Sequence, residues 1–179
     1  GLTADRIYDY KFYSENWSYY SSGVTTQALT LATEPASSPN SLSFTAISTT
    51  GMTINWGNVS TQVLVVVRAS SDLSGDPVDG TSYTANTAYG SGTSLGSGYV
   101  VYAGNGTSVT ISGLTAGTKY YVRIYNFNGG GTGASAAQNY RTSDELAGSA
   151  TTCPGAPTIM AATNVTASSF FANWGSSAS

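Results

Sequence analysis

The chain has 179 residues, a net charge of −3, charged side chains at only 8 % of positions and no histidine. With no basic run to meet a phosphate backbone, nucleic acid is not expected as a partner, and no apolar run approaches the roughly 18 residues that cross a bilayer, so no membrane insertion is expected within these residues. Without histidine the usual general base and the commonest metal ligand are missing, so no catalytic residue, cofactor or metal site is expected and the chain reads as a non-enzyme.

The opening residues recur. Gly1-Leu2-Thr3-Ala4 followed by Tyr8, Lys11 and Tyr13 returns as Gly113-Leu114-Thr115-Ala116 followed by Tyr120, Arg123 and Tyr125, an offset of 112 (113 minus 1). Asn55-Trp56-Gly57, with Pro39 upstream, returns as Asn173-Trp174-Gly175 with Pro157 upstream, an offset of 118 (174 minus 56). The two recurrences are complementary. Residues 1–33 read as the C-terminal half of one unit, 34–152 as a complete unit and 153–179 as the N-terminal half of the next, which is the pattern of a tandem array. Pro35, Pro39, Pro154 and Pro157 fall in the linkers, where a fixed φ stiffens the junctions.

Within the complete unit, Leu42–Ala46 and Met52–Trp56 alternate apolar and polar residues and read as half-buried strands. Gln62–Ala69 is apolar on both faces, with Val63, Val65 and Val67 on one and Leu64 and Val66 on the other, so it reads as a central strand covered twice. The 29 residues from Ser70 to Gly98 are too long for a turn. They are expected to fold over an outer face made by Leu64, Val66, Tyr121 and Tyr125, with a short strand at Ser82–Ala85. Tyr99–Ala103 and Thr107–Ile111 flank Gly104-Asn105-Gly106 and read as a hairpin. Lys119–Asn126 points Tyr120, Val122 and Ile124 inward and Tyr121, Arg123 and Tyr125 outward, and a last strand is placed near Gln138–Thr142. Seven short strands, turn signals between them and no helical period predict an all-β, immunoglobulin-like antiparallel sandwich.

Few side chains offer chemistry. The nine carboxylates sit mostly in turns with no paired arrangement. Asp72, Asp76 and Asp79 are oxygen ligands on a loop, as calcium requires, but their spacing matches no calcium loop, and turn-capping accounts for them more simply. Tyrosine faces suit sugar rings, which makes Tyr121 and Tyr125 the candidates for a ligand platform, but packing beneath the long loop is the favoured reading of both. Cys153 is the single cysteine, and its pairing is left open. Asn16, Asn58, Asn105 and Asn164 open Asn-x-Ser/Thr tripeptides, which matter only in a eukaryotic secretory setting.

A Trp ending the second strand (Trp56, Trp174) and Gly-Leu-Thr-Ala leading to a Tyr six residues after the Leu (Leu114 to Tyr120, Leu2 to Tyr8) resemble the fibronectin type III domain. The resemblance implies that Trp56 packs in the inter-sheet core and that Tyr120 makes a tyrosine corner; Leu114 and Trp174 are further candidates for the structural core, although the half unit that holds Trp174 cannot bury its apolar face alone. Val63–Arg68, Pro77–Tyr83, Val100–Tyr102 and Tyr120–Val122, with Cys153–Pro157 and Ala167–Phe170 opening the next unit, are similar to longer versions of that domain in large secreted proteins of Bacteroidetes, exported by the type IX system. The extension from Ser70 to Gly98 departs from the ordinary domain. The resemblance implies a secreted or cell-surface multi-repeat protein in which this module is a spacer and serves adhesion, with neighbouring repeats, polysaccharide or another cell surface as partners. The alternatives are a carbohydrate-binding accessory module of a secreted hydrolase and an extracellular filament subunit completed head to tail between chains.

Overall fold

The computed structural model describes residues 1–57 and 61–176; Asn58 of the second Asn-x-Ser/Thr tripeptide lies outside them. In chain order, β1 (Ile7–Phe12), β2 (Glu15–Asn16), β3 (Tyr19–Tyr20) and β4 (Val24–Leu29) precede the central unit. There, β5 (Asn40–Thr45), β6 (Gly51–Gly57), β7 (Gln62–Ala69), β8 (Ser94–Leu95), β9 (Gly98–Gly104), β10 (Ser108–Ser112), β11 (Lys119–Asn128), β12 (Asn139–Tyr140) and β13 (Leu146–Thr151) follow one another. β14 (Thr158–Thr163) and β15 (Phe171–Gly175) close the chain. The helical content among the described residues is one short 3-10 turn at Gly133–Ser135.

The central unit is an all-β, immunoglobulin-like antiparallel sandwich. One sheet has the order β10-β6-β5; the other runs β12-β11-β7-β9-β8, with β13 also paired to β11. Alternation dictates the inner core: Met52, Ile54 and Trp56 of β6 face Val63, Val65 and Val67 of β7 and Tyr120, Val122 and Ile124 of β11, all of them buried. β7 is central, as its double apolar pattern requires, lying antiparallel to β11 on one side and β9 on the other. Its second face carries Leu64 and Val66, which form another buried cluster with Val100, Tyr125, Phe127 and Tyr140, capped by Leu73 and Leu95 from the long excursion.

Four expectations need correction. Tyr99–Ala103 and Thr107–Ile111 are not a hairpin. β9 stays in the larger sheet with β7, whereas β10 crosses to pair with β6, setting Val109 opposite Ile54 and Ile111 opposite Met52. The crossing gives the smaller sheet its third strand and turns Val109 and Ile111 into the core, which a hairpin on the far side of β9 would not do. The last long strand is β13, beyond the expected Gln138–Thr142, where only the two residues of β12 pair. Its Leu-Ala-Gly-Ser-Ala-Thr sequence has little apolar alternation because it lies close under the other sheet: a Cβ at Gly148 would stand 2.5 Å from Leu42 Cδ2. Ser82–Ala85 is not a strand; the short strand of the excursion is β8. Tyr121 is half-buried and lies outside the covered cluster.

The flanking segments are two-stranded. β1 pairs with β4, Tyr8 opposite Ala28, and β14 pairs with β15. Trp174 is 70 % exposed: among the described residues β15 has one neighbouring strand and no facing sheet, as expected of half a unit that cannot cover its own apolar face. Trp56, at the equivalent place in β6, is buried against Tyr102 with ring centroids 5.4 Å apart because a second sheet faces it.

Candidate functional site: the covered face and its carboxylate clamp

On the outer face of β11 the side chains of Tyr121, Arg123 and Tyr125 project in a row, since alternate residues share a face. The excursion between β7 and β9 crosses this row and is fastened to it by charge. Arg123 grips Asp72 with two nitrogens, Nε to Oδ1 at 3.2 Å and Nη2 to Oδ2 at 3.0 Å, the planar fork that guanidinium offers a carboxylate. Its Nη1 lies 3.4 Å from Asp76 and 3.2 Å from Glu145. The Tyr125 hydroxyl donates to Asp76 Oδ1 at 2.9 Å, and Arg68 donates to the Asp72 carbonyl at 2.7 Å.

Each perturbed ionisation has a local cause. The hydrogen bonds from Arg123 hold the Asp72 carboxyl below its usual range, and those same bonds raise the guanidinium. Burial, then the bond to Asp76, pushes the Tyr125 phenol up; burial and the neighbouring Tyr83 do the same to Tyr140. Asp79 is occupied as well: its Oδ1 accepts the Tyr140 amide at 2.8 Å, while the Tyr140 hydroxyl donates to the Thr81 carbonyl. The three loop aspartates are thus engaged in closing the loop, and no group of three or more His, Cys, Asp or Glu suited to a metal ion occurs among the described residues.

Placement of the tyrosines bears directly on the ligand platform. Tyr125 is completely buried beneath the loop, as the packing reading expected, so it presents no ring to a sugar and the platform alternative falls for this residue. Tyr121 is half-buried with Lys119 Nζ 4.8 Å from its ring centre, a single ring occupied by a cation. Tyr89 tucks in from the excursion, edge-on to Tyr99 and Tyr120 at 5.3 and 5.2 Å, its hydroxyl accepting the Ala69 amide.

Trp56, Leu114 and Tyr120 are all buried in the inner core, and the Tyr120 hydroxyl accepts the Thr115 amide at 2.8 Å. The same bond occurs in the first segment, Thr3 N–H to the Tyr8 hydroxyl at 2.6 Å. Thr30 Oγ donates to the Thr3 carbonyl at 2.6 Å and Thr152 Oγ to the Thr115 carbonyl at 2.6 Å. In the last segment Asn173 Nδ2 donates to Thr163 Oγ at 3.1 Å, as Asn55 Nδ2 does to Thr45 Oγ at 3.0 Å. Sequence reasoning singled out the aspartates but missed their partner, because Arg123 stands 51 residues from Asp72 and only the sheet order brings them together.

Residues 38–142, which are 105 of the 179, match the family model described as the purple acid phosphatase N-terminal domain. Similar solved structures include a two-domain fibronectin type III segment of chicken tenascin (18 % identity, 85 % of this chain and 68 % of that one, TM-score 0.39). A fibronectin type III domain of human collagen XX is 21 % identical over 70 % of this chain and all of that one, with a TM-score of 0.39. The three-domain FN1–FN3 segment of chicken CNTN1 is 15 % identical over 85 % of this chain and 44 % of that one, with a TM-score of 0.45. No curated protein matches the chain.

Proposed function

The chain belongs to the family of the purple acid phosphatase N-terminal domain, and we propose that it serves as a non-catalytic spacer and adhesion module, repeated along a larger secreted or surface-displayed bacterial polypeptide. The observation that carries this reading is the reuse of the same hydrogen bonds at Tyr8 and Tyr120, at Thr30 and Thr152, and at Asn55 and Asn173, each pair in an equivalent place of a strand pair. Sequence offsets alone could arise from composition; matched side-chain bonds, at offsets of 112 for Tyr8 and Tyr120, 118 for Asn55 and Asn173 and 122 (152 minus 30) for Thr30 and Thr152, are what successive copies of one unit with a junction of variable length would make. The mechanism is geometric. Each unit contributes its own core, its neighbours set the spacing, and the active or adhesive part of the parent chain is held away from its anchor.

The covered face supports a structural role. The part of the outer sheet surface around Leu64, Val66 and Tyr125 is covered by the excursion and fastened by the arginine clamp, which supports packing there in place of an aromatic groove. A second reading is favoured by the family match itself: the module could accompany a hydrolase domain as its accessory. The deciding experiment is the intact mass of the polypeptide isolated from its source, with peptide sequencing. Further copies of Gly-Leu-Thr-Ala and Asn-Trp-Gly around these residues support the array. A phosphatase domain next to a single copy of the unit supports the accessory role and overturns the array.

A further inference from the structure

Between β4 and β5 the chain does not cross open solvent. It is held along the end of the sandwich where β11 and β12 meet. The Ala32 amide donates to the Ala137 carbonyl at 2.9 Å, and Asn139 Nδ2 returns a bond to the Ala32 carbonyl at 2.9 Å. Asn128 Nδ2 donates to the Thr33 carbonyl at 2.7 Å, Arg141 Nη1 to the Pro35 carbonyl at 3.2 Å and Asn126 Nδ2 to the Ser37 carbonyl at 2.6 Å. Five bonds over the six residues Ala32 to Ser37, one from main chain to main chain and four from side chains to main-chain carbonyls, hold this peptide on the surface of the unit. Ala32 is 8 % exposed, which leaves little room for a larger side chain at that position; a Cβ at Gly129, whose φ is +89°, would meet the Ala137 carbonyl first and would stand 3.0 Å from the Ala32 methyl. Asn126 is fully buried, and its amide nitrogen is spent on this segment.

The other end of the unit is built differently. From Thr30 to Pro39 is nine residues (39 minus 30), and from the equivalent Thr152 to Pro157 is five (157 minus 152), so Leu31–Glu34 has no counterpart at the second junction. At the first junction Ala32, Pro35 and Pro39 are buried.

We infer that Asn126, Asn128, Asn139 and Arg141 form an intramolecular docking site for a peptide with a small residue near its N-terminal end, and that its ligand is this chain's own segment 31–37. Docking locks the preceding strand pair at a fixed angle to the central unit, so the first joint transmits orientation and the spacer is stiff there. The inference rests on reading residues 1–33 and 34–152 as successive units.

The test uses the whole 179-residue chain, amide exchange at Ala32 and nitrogen-15 relaxation across Ile7–Leu29 and the central unit. The Ala32 amide is expected to exchange on the order of a hundredfold more slowly than an open peptide, and both regions to tumble with one correlation time. The double variant Asn128→Ala/Asn139→Ala, and separately Ala32→Leu, are expected to lower that protection about tenfold or more, the equivalent of one hydrogen bond of ordinary strength. Each variant should also separate the two correlation times while the amides of β7 keep their protection. An open Ala32 amide or two correlation times in the unaltered chain would overturn the docking site, as would variants that change neither readout. None of those results bears on the array, which stands or falls on the mass of the source polypeptide.

Discussion

Leu73 is the sharpest probe of the covered face. It lies in the excursion between β7 and β9, where a leucine in an ordinary exposed loop could be truncated at a cost within about ±0.5 kcal/mol. Here it is 5 % exposed and packs in one cluster with Leu64, Val66 and Tyr125. Leu73→Ala therefore deletes buried methyl groups and leaves a void above β7, and core truncations of this kind cost about 2–5 kcal/mol. A loop relaxes more readily than a strand, which places the expected loss near the lower end, at about 2 kcal/mol. For a chain of this size that is a fall in Tm of roughly 4–8 °C. Denaturant unfolding followed by tryptophan fluorescence reads it, since Trp56 is buried while Trp17 and Trp174 are already exposed and change little. The slope against denaturant should stay constant and the midpoint should fall. A loss under about 0.5 kcal/mol would refute the claim that the excursion is a packed cover.

Trp56→Ala should cost about 3–5 kcal/mol in the same assay, and Trp174→Ala less than about 0.5 kcal/mol, because only the first faces a second sheet. Tyr120→Phe removes the acceptor for the Thr115 amide and should cost about 1 kcal/mol, with Tyr8→Phe near zero in the unfolding of the central unit. The Asp72 carboxyl is held below its ordinary 3.8, so its contribution is complete above that pH and fades as the pH falls through the lower folded value; Asp72→Asn should flatten the acid limb of a stability–pH curve. The Tyr125 phenol is raised above its ordinary 10.0, so its contribution is complete below pH 10 and is lost as the pH climbs further, a limb that Tyr125→Phe should remove.

Periodicity made the central strands legible. β6, β7 and β11 announce themselves because burial on one face or on both leaves a direct mark on residue choice. The double apolar pattern of β7 also foretold a cover, though Tyr121 lies outside it. What pattern could not convey was partnership across the sheets. Gly104-Asn105-Gly106 looks the same whether the chain folds back on its own sheet or crosses to the other; only the free edge of β6 and the burial of Val109 and Ile111 decide it. β13 escaped notice for a different reason: its close approach to Leu42 selects glycine and alanine, which carry almost no apolar signal. The clamp was half visible, its aspartates standing out on a long loop while their arginine sat in a strand 51 residues away.

Limited digestion of the intact chain with chymotrypsin, with the cut sites mapped by mass spectrometry, tests the central claim that one complete, covered unit spans residues 34–152. Aromatic and leucine sites occur both in the flanking segments and in the long excursion. The account predicts early cleavage at exposed Tyr13, Trp17, Tyr19, Tyr20, Phe170, Phe171 and Trp174, and a resistant fragment that keeps Leu73, Tyr83, Tyr89 and Leu95 uncut. Early cuts at those four excursion sites, with the flanking aromatic sites spared, would contradict it.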